Sequence, residues 1–194
     1  MSHPIRRRLA AAVLRMLGWK IEFNGLPAKR GVIVAYPHTS NWDFPLGLLA
    51  IWSIELDLKF VGKHTLFRWP LGFFMRRWGG LPIDRRGPQG AIGALAERIR
   101  EQPTCWVAIA PEGTRRRTPG WRSGFYHLAR GLDAPLGLGV IDYPSRRVLL
   151  TEFIDVGGDA EPADVMREIA RYYAPFRGLK PENASPIEWI ETRR

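Results

Sequence analysis

Over most of its length the chain alternates short apolar runs with segments long enough for a helix. That rhythm confines it to an α/β fold, a largely parallel central sheet flanked by helices. Candidate strands occupy residues 19–25, 31–37, 58–63, 79–84, 105–111, 136–143 and 146–155, most of them bounded by Gly, Pro or Asp. Helices are expected over residues 41–54, over 88–100 with Ile92, Leu95, Ala96 and Ile99 on one face, and over 123–130, closed by Gly131. A longer one starts at Pro162 and buries Val165, Ile169, Tyr172 and Phe176. With 194 residues, 45% of them hydrophobic, the chain suits one core and one domain. That domain spans residues 21–178, and residues 179–194 read as a loose polar tail.

Residues 1–20 differ from the rest. On a helical wheel Ile5, Leu9, Val13, Met16 and Leu17 share one side, with Arg7, Arg8 and Arg15 opposite. This is the pattern of a helix lying in a lipid interface, and equally of one packed on the protein's own core. Trp19, just after it, suits headgroup level. The longest mostly apolar run, residues 44–54, contains Pro45 and Gly47, and it falls short of the ~20 residues a spanning helix needs. A secretory signal is not expected, because no long apolar core followed by a small-residue cleavage site is present.

Lys and Arg total 29 against 19 Asp and Glu, a formal charge of +10, so an anionic partner is expected. Nucleic acid fits poorly: the charge is scattered, and no helix-turn-helix, zinc-knuckle or RNA-recognition signature is visible. Anionic lipid and phosphorylated substrates remain. The single cysteine, Cys105, excludes an internal disulfide and a cysteine-based metal site. It lies inside a candidate strand, as a core residue does, and a buried thiol is a poor nucleophile. His3, His64 and His127 lack carboxylate or cysteine partners at ligand spacing, so no metal site is expected.

Chemistry concentrates at three strand ends, where crevices open in α/β sheets. In AYPHTSNWD, His38 follows a strand and Asp43 comes as a helix begins. A histidine there can take a proton from a hydroxyl, and a carboxylate on its other nitrogen fixes the tautomer and stabilises the imidazolium. Alone, the pair reads more readily as a satisfied structural histidine. In APEGTRRR, Gly113, Thr114 and Arg115 offer a backbone amide, a hydroxyl and a guanidinium suited to a phosphate, and Glu112 can accept from a polyol or orient a basic group. Alone, this is equally a solvated polar turn. In GLPIDRR, Asp84 and Arg85 make either a salt-bridged turn or part of the same anion pocket. Upstream, residues 63–78 interleave aromatic and basic side chains, a composition that suits an acyl groove rimmed by cations and equally a plain core helix.

Taken together, in order and spacing, these blocks resemble the glycerophospholipid acyltransferases, which include the 1-acylglycerol-3-phosphate acyltransferases. HTSNWD matches the first block (His, four residues, Asp), Ile83, Asp84 and Arg85 match the second, and Pro111, Glu112, Gly113, Thr114 and Arg115 match the third. The likeness covers residues 31–143 and is greatest to a compact bacterial branch with HTSNWD and a segment like RSGFYHLARG. Two departures stand out. Pro37 replaces the Asn often found before the histidine, and Leu138 falls where the fourth block usually carries a proline, which bears on acyl-chain preference.

The resemblance implies O-acyl transfer from acyl coenzyme A or acyl carrier protein, with no other cofactor. The acceptor would be a lyso-lipid hydroxyl, by default 1-acylglycerol-3-phosphate, with an aminolipid or glycolipid acceptor as alternatives. His38 and Asp43 would be catalytic, and Arg85, Glu112, Gly113, Thr114 and Arg115 would hold the acceptor. The acyl chain would lie along residues 67–78, or against Trp42 and Phe44. Such a chain would act peripherally on the inner face of the cell membrane, against anionic lipid, with residues 1–20 as anchor. A catalytically idle membrane scaffold of the same fold would have no need of His38 and Asp43 together.

Overall fold

The apolar runs of the sequence assemble into one seven-stranded sheet in a computed structural model that describes residues 4–83, 90–158 and 160–190. The strands are β1 (Lys20–Phe23), β2 (Arg30–Ala35), β3 (Leu58–Lys63), β4 (Gly80–Ile83), β5 (Cys105–Ile109), β6 (Leu136–Asp142) and β7 (Arg147–Ile154). Their spatial order is β1-β7-β6-β2-β5-β3-β4. From β6 to β4 every pairing is parallel; β7 runs antiparallel to β6, and β1 runs parallel to β7. A parallel sheet is covered on both faces, and Val32, Val34 and Val107 are accordingly fully buried.

The helices are α1 (Pro4–Met16), α2 (Asp43–Ser53), α3 (Leu71–Arg77), α4 (Gly90–Arg100), α5 (Gly124–Leu132) and α6 (Pro162–Tyr173). Ile51 of α2 packs over Ile33, Trp106 and Leu150 on one face of the sheet. On the other, Leu95 and Ile99 of α4, Phe125 and Leu128 of α5, and Val165 and Ile169 of α6 close the larger core around Val34 and Leu138. Cys105 belongs to this core, and burial pushes its thiol up.

α1 packs against α2, burying Ala10 and Leu14. Ile5, Leu9, Met16 and Leu17 stay exposed. The reading as a helix packed on the protein's own core holds for the arc of Ala10 and Leu14, while most of the apolar arc of the wheel faces outward. Among the described residues no helix is long and apolar enough to cross a membrane.

Two expectations need correction. Gly131 does not close α5, which runs on to Leu132 and is capped by Asp133 at φ 49°. Aspartate tolerates that left-handed turn, and its amide reaches the Arg130 carbonyl. Nor are residues 179–190 loose. Lys180 N and Asn183 Nδ2 donate to Thr39, Ser185 N donates to Glu112, and residues 188–190 exchange backbone hydrogen bonds with Trp121. The segment is fastened both by these hydrogen bonds and by Ile187 and Trp189, which pack on the core, Trp189 stacked on Phe125. The expected start of α4 at residue 88 lies outside the described residues.

Candidate active site

The topology explains why distant motifs meet. β2, β5 and β6 are neighbours running the same way, so the segments leaving their C-terminal ends emerge at one edge of the sheet. These carry His38, Glu112 and Tyr143 respectively. The Tyr36–Pro37 peptide that leads to His38 is cis.

His38 Nδ1 lies 3.2 Å from Asp43 Oδ2. The same oxygen accepts from the Thr39 amide at 2.8 Å and the Ser40 amide at 2.9 Å, and Oδ1 accepts from the Tyr143 hydroxyl at 2.8 Å. Asp43 is 3% exposed, and burial by itself would push its carboxyl up. The hydrogen bonds from His38, Ser40 and Tyr143 outweigh that and hold it below its ordinary value. Asp43 is therefore an anion at neutral pH, with Nδ1 of His38 committed to it and Nε2 left to exchange protons.

Glu112 stands behind this pair. Its Oε2 accepts from the His38 amide at 2.9 Å and its Oε1 from the Ser185 amide at 3.1 Å. At 2% exposure its carboxyl is pushed up to about 7 by burial, with the two amides pulling the other way. Its role in the geometry is to clamp the backbone of His38, which differs from the acceptor-binding role the resemblance implied. Gly113, at φ 70°, turns the chain away, so that Thr114 and Arg115 follow on the same loop, both half-buried. Arg115 Nε is buried without a hydrogen-bond partner among the described residues. Asp84 and Arg85 lie outside the described residues.

His38 and Asp43 are part of the lining of an apolar cavity of about 210 Å³. It runs between α2 and the sheet past Phe44, Gly47 and Ile51 to Ile21 and Phe23 of β1. Of the two expected acyl paths, the one beside the base matches through Phe44. Trp42 is 67% exposed and is no liner, and residues 67–78 do not line the cavity. Phe67 instead fills the space above Gly62 and Gly80, while Trp69, Phe73 and Phe74 point outward. Leu138 is a core residue; its neighbours Gly139 and Ile141 reach the cavity.

The family model described as Acyltransferase matches residues 20–145, well over half of the chain, and includes His38, Asp43, Glu112, Arg115 and Tyr143. The chain belongs to the acyltransferase family. The acyltransferase is similar in fold to the crystal structure of the 1-acyl-sn-glycerophosphate (LPA) acyltransferase PlsC from Thermotoga maritima. The two share 18% identity with a TM-score of 0.58, over 86% of this chain and 74% of that one. No curated protein matches it.

Sequence reasoning missed two contributors. Tyr143 sits just past the end of β6, parallel to the strand that carries His38, and a search of strand ends would have found it. Ser185 acts through its backbone amide, and no side-chain pattern marks it.

Proposed function

We propose that this acyltransferase moves a fatty acyl group from a thioester of coenzyme A or acyl carrier protein to the hydroxyl of a lyso-phospholipid, with 1-acylglycerol-3-phosphate as the first candidate. The observation that carries the reading is the His38–Asp43 pair in the lining of an apolar cavity. The base and the space for an acyl chain occur at one point.

In this reading Nε2 of His38 removes the acceptor hydroxyl proton as that oxygen attacks the thioester carbonyl. The tetrahedral oxyanion collapses, the carbon–sulfur bond breaks, and the proton held by His38 goes to the leaving thiolate. Asp43 stabilises the imidazolium in between. The acyl chain occupies the cavity past Phe44 and Ile51. Arg115, whose Nε has no partner among the described residues, is suited to the acceptor phosphate, since a guanidinium binds oxyanions through parallel hydrogen bonds. The acceptor is a membrane lipid, so the protein works on the inner face of the cell membrane, where the exposed arc of α1 and the charge of +10 suit anionic lipid.

A panel of lyso-lipids in anionic vesicles, offered with long-chain acyl coenzyme A and separately with acyl carrier protein, tests this by thiol release. Release that requires a lyso-phospholipid is expected. Silence with both donors and every acceptor would leave a lipid-binding scaffold in place of an enzyme.

A further inference from the structure

We infer that α3 and the turn before it form a second lipid-docking element, which sets the side of the molecule beside the cavity against an anionic bilayer. The inference deepens the proposed function, because a lipid acceptor must be met at the membrane. α3 buries Gly72 and Met75 and turns its other side outward. Trp69 is 89% exposed, Phe73 65%, and Leu71 and Phe74 are close to half exposed. Single exposed apolar residues are ordinary, but a cluster of large ones rimmed by charge marks an interaction site.

Charge and continuity identify the partner. Residues 63–78 contain no Asp or Glu, and Arg68 and Arg77 are exposed without an ion pair to any described residue. A tryptophan beside arginines, with no acid, is the composition of a helix at an anionic lipid interface. The patch does not stand alone. Phe74 lies 5.7 Å from Trp78, Trp78 lies 6.2 Å from Trp52 of α2, and the Arg6 guanidinium of α1 sits 5.2 Å above Trp52. α1 and α3 thus flank α2 along one aromatic seam. Trp78 also lies 6.2 Å from Phe44, which lines the cavity beside the base. A bilayer resting on both helices would lie alongside α2, whose Phe44, Gly47 and Ile51 line the cavity.

The test uses the full chain and vesicles of phosphatidylglycerol with phosphatidylcholine, compared with phosphatidylcholine alone. Co-sedimentation is measured for wild type, Trp69→Ser with Phe73→Ser, and Arg68→Gln with Arg77→Gln, each checked for an unchanged melting curve. The aromatic pair is expected to weaken binding at least about tenfold on anionic vesicles. The arginine pair should cost about fivefold per residue there, and little on the neutral vesicles. Transfer to a short-chain acceptor dissolved below its micelle concentration should survive in the aromatic variant, while transfer to vesicle-borne acceptor falls. Undiminished vesicle binding by the aromatic variant would overturn the inference, as would a wild-type dimer that this variant splits, since a second copy would then cover the patch. Vesicle binding lost in the variant, with no acceptor acylated by wild type, would support the docking surface and refute the acyltransferase reading.

Discussion

Asp43 spends both carboxylate oxygens on holding one histidine in place: three donors converge on Oδ2 and Tyr143 takes Oδ1. A hydrogen bond to a charged group contributes about 1.5–3 kcal/mol, so Tyr143 is a positioning residue of some weight. Tyr143→Phe is expected to lower kcat by about tenfold with KM unchanged, because the missing hydroxyl loosens the dyad without touching either substrate. A wild-type kcat in a folded variant would remove Tyr143 from that role. Glu112 predicts a pH effect of unusual sign. Its carboxyl titrates near 7 when folded against 4.5 for the ordinary side chain. Between those values the folded state holds a proton that the unfolded state has released, so stability falls as pH rises from 4.5 to 7 and stays low above it. The shift is worth on the order of 3 kcal/mol. Asp43, held low, acts in the opposite sense: its contribution is present above its unfolded pKa of 3.8 and is lost as pH falls through the lower folded value. Urea unfolding at pH 5 and pH 8 should show wild type losing more stability across that interval than Glu112→Gln. A parallel loss in both would contradict the assignment.

At the scale of elements, the segment after α6 is a strap that braces the loop carrying His38. Arg177 N donates to Asp142 at 2.9 Å and Tyr143 N returns to the Arg177 carbonyl, while Lys180 and Asn183 hold Thr39 and Ser185 holds Glu112. Gly178 permits this approach, since a Cβ there would come within 2.4 Å of Thr39 Oγ1. Gly178→Val should therefore lower stability by about 2 kcal/mol, a fall of several degrees in Tm, and reduce kcat with it. An unchanged melting curve would show that the strap yields without consequence. The strap is also where the sequence was least legible. Helices and strands advertise themselves by apolar periodicity, whereas residues 179–190 are tied down by backbone amides, short polar side chains and two isolated apolar anchors, Ile187 and Trp189, that leave no periodic trace. The end of α5 was hidden for a related reason: Gly131 and Asp133 can both accept a turn, and backbone hydrogen bonding decided for Asp133.

Across the whole molecule, the α/β architecture and the largely parallel sheet were legible because most of the strands read as apolar runs bounded by Gly, Pro or Asp. The site was legible in part. His38, Asp43 and Glu112 lie on motifs at strand ends, and parallel neighbours bring such ends together. The position of the apolar cavity was not, because the aromatic residues of 67–78 satisfy a groove and an exposed platform equally well on paper; only packing shows Phe67 turned inward and Phe73 outward. The proposed mechanism requires His38 as the base. Single-turnover thiol release from acyl coenzyme A or acyl carrier protein, with and without the lyso-phospholipid acceptor, compares wild type with folded His38→Ala. A positioned general base contributes on the order of 10²–10⁴-fold, so acceptor-dependent release should fall by about a thousandfold in the variant. Equal release from the two proteins would contradict the mechanism.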